Sequence, residues 1–254
     1  MNALALPGEA GRGEVRVDGL WRYPASSLAG ESLTEMTVST GGAQGDRLFG
    51  LVETATGEIA RPEGGPKWHG APRIAARLSD NGGLEIRVLS GGGWMPAPGV
   101  EAERAASAIF GFDVSIRPFG EAGRQNDAIE PRYRKAPIHL LTTASLAELK
   151  AQHPAGNPDP RRFRPNILVD MPPVAGQFPE TGWIGRTIAI GDLELIVSEP
   201  CRRCGFTIIA QEGIGSDPEI LRTLVRKNAH NIGVYCTVIR PGVVRIGDTM
   251  RLVG

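Results

Sequence analysis

Short apolar runs, broken every few positions by glycine, proline or aspartate, dominate the pattern of the chain. Glu14–Leu20, Leu84–Leu89, Thr187–Ile190, Leu193–Val197, Thr237–Arg240 and Met250–Val253 are rich in Val, Ile, Leu and Thr and bounded by turn residues, which predicts short β-strands. Ile190-Gly191-Asp192 and Ile246-Gly247-Asp248 each precede a further strand-like run, and Gly-Asp at such a place is turn chemistry feeding a strand. Three segments have helical character. Val100–Phe110 consists of good helix formers and meets Gly111 at its end. Ser145–Gln152 sets Leu146 and Leu149 on one face, with Thr143 or Ser145 available as a cap. Asp217–His230 carries Pro218 in its first turn and lines up Ile220, Leu221, Leu224 and Val225. The Ala155–Pro160 stretch reads as a loop. The expected fold class is mainly β with a few short helices (α+β), with no βαβ alternation and no glycine-rich phosphate loop ending in Lys-Ser or Lys-Thr.

Composition narrows the class without naming a chemistry. The chain has 254 residues, enough for one large domain or two closely packed small ones, and 41% are apolar. Its 28 basic and 28 acidic residues cancel, so the basic excess of a nucleic-acid binder is missing. The three cysteines, Cys201, Cys204 and Cys236, are too few and odd in number for a secreted disulfide scaffold and fit a reducing compartment. The first residues have no basic segment followed by an apolar run, and no later run has membrane-spanning length. The expectation is a soluble cytoplasmic protein with no membrane or nucleic-acid partner.

Candidate chemistry gathers in four places. Pro200-Cys201-Arg202-Arg203-Cys204 admits three readings. A structural zinc site would need two more ligands, and His230 and Cys236, the available ones, match no common zinc module in order or spacing. A redox dithiol needs a helix N-terminus, whereas Gly205–Ile209 reads as a strand. A pair of small buried residues is the third reading. If the segment is extended, its side chains alternate, so the sulfurs point to opposite faces and Arg202 shares a face with Cys204, favouring its thiolate. Arg161-Arg162-Phe163-Arg164-Pro165-Asn166 is either a solvated charged face or a site for a phosphate and a heterocycle edge. Arg supplies the fork for the first, and Asn donates and accepts for the second. Gly45-Asp46-Arg47 fits a turn with a local ion pair, and Leu20–Pro24 fits an aromatic anchor on an edge strand. His139, in a strand-like Pro-Ile-His-Leu-Leu run, reads as a core residue, and His230 is a weaker site candidate.

Taken in order, these segments resemble the MOSC family, named for the molybdenum cofactor sulfurase C-terminal domain, together with its N-terminal β-barrel domain. The resemblance runs through Tyr23-Pro24 to Gly30, Gly45-Asp46-Arg47, Ile59-Ala60-Arg61-Pro62, His139–Leu149, Phe163-Arg164-Pro165-Asn166, Trp183-Ile184-Gly185, Pro200–Cys204 and the closing Pro241-Gly242 and Ile246-Gly247-Asp248. It implies an N-terminal barrel-like domain over residues 12–115 and a MOSC barrel over 116–254 sharing a cofactor cleft. It implies that Cys204 ligates molybdenum. Arg164 and Asn166 would hold the pterin's phosphate and ring edge, Arg47 would close over them, Ser27 would touch the cofactor, and Arg202 would attend Cys204. Where relatives read Tyr-Pro-x-Lys-Ser, this chain has Ser26 in place of the lysine, with Arg22 or Lys135 of the Arg132–Lys135 cluster as replacement bases. The implied function is a molybdenum-dependent oxidoreductase similar to the amidoxime-reducing members, removing oxygen from a small N-hydroxylated substrate. A separate ferredoxin- or reductase-like protein would supply electrons, because three cysteines cannot hold a four-thiolate cluster while one binds molybdenum. The alternative is a sulfur carrier, with a persulfide on Cys204 or Cys201.

Overall fold

A computed structural model describes residues 14–120, 128–131 and 137–253. In chain order the elements are β1 (Arg16–Arg22), β2 (Glu31–Leu33), β3 (Glu35–Ser39), β4 (Gly42–Ala43), β5 (Phe49–Glu53), β6 (Ile74–Leu78), β7 (Leu84–Val88), β8 (Met95–Ala97), α1 (Val100–Phe110) and β9 (Val114–Pro118). They continue with β10 (Ile138–Thr142), α2 (Thr143–Gln152), β11 (Ile167–Asp170), β12 (Thr187–Ile190), β13 (Leu193–Arg202), α3 (Pro218–Lys227), β14 (Asn231–Arg240), β15 (Gly242–Arg245) and β16 (Met250–Val253).

Eight strands form one sheet in the order β16-β12-β13-β14-β10-β11-β1-β2. The Arg16–Thr249 bridge, with Val17 N–H donating to Asp248 O at 2.9 Å and Met250 N–H to Val15 O at 2.8 Å, joins β1 to the far edge and closes the sheet as a barrel. Closure removes the exposed edge that an open sheet would present. Alternation fills the interior: along β1, Val17 and Leu20 point inward, and they meet Leu140, Ile167, Ile188, Leu195 and Val234 from the other strands. A second core, from Ala25 to Ile116, lies under β5–β9 and α1, where Trp68 meets Phe110 and Phe112 edge-on at 5.0 and 5.1 Å. A third cluster, including Leu149, Phe163, Ile220 and Leu224, seats α2 and α3 on the barrel wall.

The α+β class, rich in short strands, follows the sequence pattern. Thr142, not Thr143 or Ser145, caps α2, its hydroxyl accepting from Ser145 N–H at 3.0 Å. Asp217 caps α3. That helix stops at Lys227 because Ala229 and His230 turn with φ of 45° and 77°, short of the expected end at His230. One expectation is corrected: Gly205–Ile208 is a 3₁₀ turn rather than a strand. The Thr207 N–H and hydroxyl both donate to Cys204 O, at 3.2 and 3.0 Å, and this local bonding curls the chain despite its β-branched composition. Among the described residues no helix is long and apolar enough to cross a membrane.

Candidate functional site

The site begins where β1 leaves the sheet. Tyr23 N–H donates to Asp46 Oδ1 at 2.8 Å, Arg47 N–H returns to Tyr23 O at 2.8 Å, and Leu48 N–H donates to Pro24 O at 2.8 Å. These bonds staple the Gly45-Asp46-Arg47 turn onto the Tyr23-Pro24 loop. The other Asp46 oxygen pairs with the Arg47 guanidinium, the local ion pair foreseen for this turn. From the barrel side Arg164 arrives with its guanidinium 4.1 Å from the centre of the Tyr23 ring and 5.0 Å from that of Phe206, and it donates to Leu28 O. Arg47 lies 5.4 Å from the Tyr23 ring. Two guanidiniums thus face one phenol, an arrangement that favours cation–π attraction.

The cysteine pair lies beside this cluster. Cys201 is fully buried and Cys204 is exposed, as alternation along an extended segment requires. The same alternation puts Arg203 on the Cys201 side, where its guanidinium donates to Cys201 Sγ and to Phe163 O, both at 2.6 Å. Arg202, expected to attend Cys204, is exposed at the end of β13 opposite Asn231; the guanidinium that meets the buried thiol is that of Arg203. The turn after Cys204 abuts the N-terminal unit, for a Cβ on Gly205 would lie 3.1 Å from Glu63 O. The Arg61-Pro62 segment therefore borders the cysteine loop.

Electrostatically the cluster is cationic. Arg47, Arg164 and Arg203 face one carboxylate, Asp46, so these four groups carry three positive charges against one negative. Burial drives the Tyr23 phenol well above the usual tyrosine range, and the arginines only partly oppose this. Burial works against the charge on Arg203, but Cys201, Tyr235 and Cys204 outweigh it and hold the guanidinium firmly protonated. Tyr235 is also raised, mainly by burial and next by the neighbouring Cys201. His139 is kept neutral, first by burial and then by Arg203; its Nδ1 meets Arg164 O at 3.2 Å.

Backbone conformation marks the same place. The non-glycine residues with positive φ are Ser27 (71°), Arg47 (52°), Arg164 (55°), Ala229 and His230 among those described, and His230 O accepts from Arg203 N–H at 2.9 Å. Left-handed backbone at a side chain with a Cβ costs on the order of 1 kcal/mol, and such strain gathers at functional sites. Ser27, Arg47 and Arg164 are residues singled out from the sequence.

The remaining expected residues are placed differently. Asn166 is fully buried, its Oδ1 accepting from His139 N–H at 3.1 Å and its Nδ2 donating to Trp21 O at 3.4 Å, so its amide ties β1 and β10 across the start of β11. The arginine triplet splits three ways. Arg161 pairs with Asp159 at the surface, Arg164 enters the site, and Arg162 is 1% exposed, donating to Asn157 O, Thr207 O and Gly215 O at 2.8, 3.1 and 2.6 Å. Arg22 pairs with Glu31 at 2.9 Å and donates to Gln44 O at 3.4 Å. Lys135 and the Arg132–Lys135 cluster lie outside the described residues. Among the described residues no three His, Cys, Asp or Glu side chains are grouped to share a metal, and Cys236 faces the core, its thiol pushed up to about 12 by burial. Phe206 was not foreseen, and Tyr23 and Arg203 lay in the segments singled out without being picked as site residues, although the i, i+2 spacing of Cys201 and Arg203 was a usable signal.

Two family profiles cover this architecture: one described as MOSC domain matches residues 101–251, and one described as MOSC N-terminal beta barrel domain matches residues 14–107. Among curated proteins, the chain is similar to the molybdenum cofactor sulfurase of Drosophila erecta, at 28% identity over 50% of this chain and 16% of that protein. It is also similar to mitochondrial amidoxime-reducing component 1 of Mus musculus, at 29% identity over 56% of this chain and 45% of that protein. The chain thus spans less than half the length of each. The crystal structure of the YuaD protein from Bacillus subtilis aligns over 93% of both chains, with 15% identity and a TM-score of 0.48.

Proposed function

Because the chain belongs to the MOSC family, we propose that its arginine-lined cleft binds a molybdenum cofactor through Cys204 and that the protein is an oxidoreductase acting on N-hydroxylated substrates. One observation carries this reading: an exposed thiol stands beside Arg203, one of three half-buried guanidiniums, the other two of which, Arg47 and Arg164, project from left-handed backbone. The donor set suits the group. A thiolate is a soft ligand for such a metal, and forked guanidiniums match phosphate oxygens. Cys204 would hold the metal, Arg47 and Arg164 the anionic end of the pterin, and Ser27 would border it. When bound, the cofactor supplies two-electron redox chemistry, with oxygen leaving the substrate as water at the cost of two electrons and two protons.

The chain's own part is orientation, charge neutralisation and exclusion of water. Arg203 adds positive charge beside Cys204 and is itself held by Cys201 and Phe163 O. Phe206 and Tyr23 give the site apolar walls. Electrons would come from a separate donor protein. The test is turnover of an N-hydroxylated substrate by molybdenum-loaded protein: activity with an added ferredoxin- or reductase-like donor, and none with NADH alone, is expected. Turnover with NADH alone would defeat the donor requirement.

A second reading rests on Ser26. With Arg22 engaged by Glu31, the cation that relatives place at position 26 is not restored from that side chain, which weakens the cofactor site. A persulfide on Cys204 beside the same arginines would make the protein a sulfur carrier. Cyanide-labile sulfur without molybdenum would favour it.

A further inference from the structure

We propose that the Tyr23 hydroxyl is a ligand-binding donor, aimed at an oxygen of a tetrahedral, phosphate-like anion that Arg47 and Arg164 neutralise. This deepens the cleft reading above and rests on it. Three observations carry it. First, the ring has no freedom to turn: Tyr23 is 3% exposed, its backbone N–H is bonded to Asp46, and its edge fills the space of Gly30, where a Cβ would lie 2.4 Å from Cδ1 and 2.7 Å from Cε1. Second, the hydroxyl oxygen is buried and has no hydrogen-bond partner among the described residues. Third, the charged groups in whose field it lies are Arg164, Arg47, Asp46 and Arg203. The arginines carry only donors. Asp46 already receives Tyr23 N–H on one oxygen and Arg47 on the other.

A buried phenol surrounded by donors has its own proton to place. No acceptor among the described residues meets it, which leaves a bound ligand as the group to take that proton. An anionic oxygen is the group that satisfies the phenol and the guanidiniums together, because each of them donates to it. The same burial that raises the phenol keeps it a donor. A neutral ligand would leave the guanidinium charge uncompensated.

The experiment uses the full chain freed of bound cofactor, with inorganic phosphate as probe, in wild type, Tyr23→Phe and Arg47→Ala. Binding is read by calorimetry, and the melting temperature is taken with and without phosphate at constant ionic strength. Tyr23→Phe should bind phosphate about ten-fold more weakly, the scale of one hydrogen bond to a charged group. Without phosphate it should melt no lower than wild type, because an unsatisfied hydroxyl is lost. Arg47→Ala should weaken binding at least as much. Wild-type affinity in Tyr23→Phe with binding lost in Arg47→Ala would overturn the Tyr23 assignment and leave the cleft standing. A lower melting temperature of Tyr23→Phe without phosphate would also overturn it, by revealing a partner within the chain. No phosphate binding by wild type would overturn the arginine cleft itself, and the Tyr23 assignment with it.

Discussion

Cys201 and Cys204 show how far three positions can separate two equal side chains. The strand's alternation buries one sulfur under Arg203 and Tyr235 and leaves the other at the surface, so only Cys204 is free to take a ligand without unfolding. Cys204→Ser should therefore abolish molybdenum or labile sulfur while changing stability by less than about 0.5 kcal/mol, as an exposed substitution does; metal analysis and urea unfolding check both halves. Arg162 is the opposite case. Its donors hold Asn157, Thr207 and Gly215 carbonyls, fixing the turn that follows Cys204. Arg162→Met should cost about 3 kcal/mol or more, because it strands buried acceptors; denaturant unfolding measures this. Residue type alone left the three neighbouring arginines alike, and it was the family resemblance that singled out Arg164. Only the fold decides which reaches water, which reaches carbonyls and which reaches the cleft. Asn166 shows the same limit: a side chain suited to reading a ring edge is engaged by backbone of its own sheet.

At the level of elements, short strands and the end of α1 were legible because their causes are local. Gly111 ends α1 in the left-handed region, as read from residue type, whereas Thr142 caps α2 in place of the expected Thr143 or Ser145. The turn after Cys204 was not legible, since Phe206-Thr207-Ile208 has strand composition and the deciding bonds run to Cys204 O. The β10–β14 pair carries two further consequences. Gly233 has a φ of 76° and faces His139 Nε2, which a Cβ would approach to 2.3 Å. Gly233→Ala should thus destabilise by about 2 kcal/mol or more through strain and overpacking, measurable as a lower unfolding midpoint. His139 itself is held neutral below the usual imidazole range by burial. The unfolded chain therefore binds a proton that the folded chain refuses. Stability is full above about pH 6.5 and falls as pH drops below it, with a slope of up to about 1.4 kcal/mol per pH unit. Unfolding free energies between pH 7.5 and 5.5 should show this slope in wild type and a shallower one in His139→Gln.

On the scale of the whole molecule, the site exists because the chain crosses between two cores. β1 joins the large barrel, Tyr23–Leu28 then carries Ala25 and Leu28 into the smaller core that runs from Ala25 to Ile116, and β2 returns to pair with β1. We propose that the functional division of the chain falls near residue 115, where that second core ends. Tyr23 and Arg47 thus reach the site from one side, and Arg164, Arg203 and Cys204 from the other. No local pattern encodes that meeting. The ordered series of weak motifs pointed to it, and the strained backbone at Ser27, Arg47 and Arg164 marks it physically. We propose that this site holds a molybdenum cofactor through Cys204. The most direct check is to quantify molybdenum and pterin in protein purified from a host that makes the cofactor. Near-stoichiometric metal is expected in wild type and none in Cys204→Ser, whereas a wild type devoid of molybdenum, or a Cys204→Ser variant that retains it, would rule the assignment out.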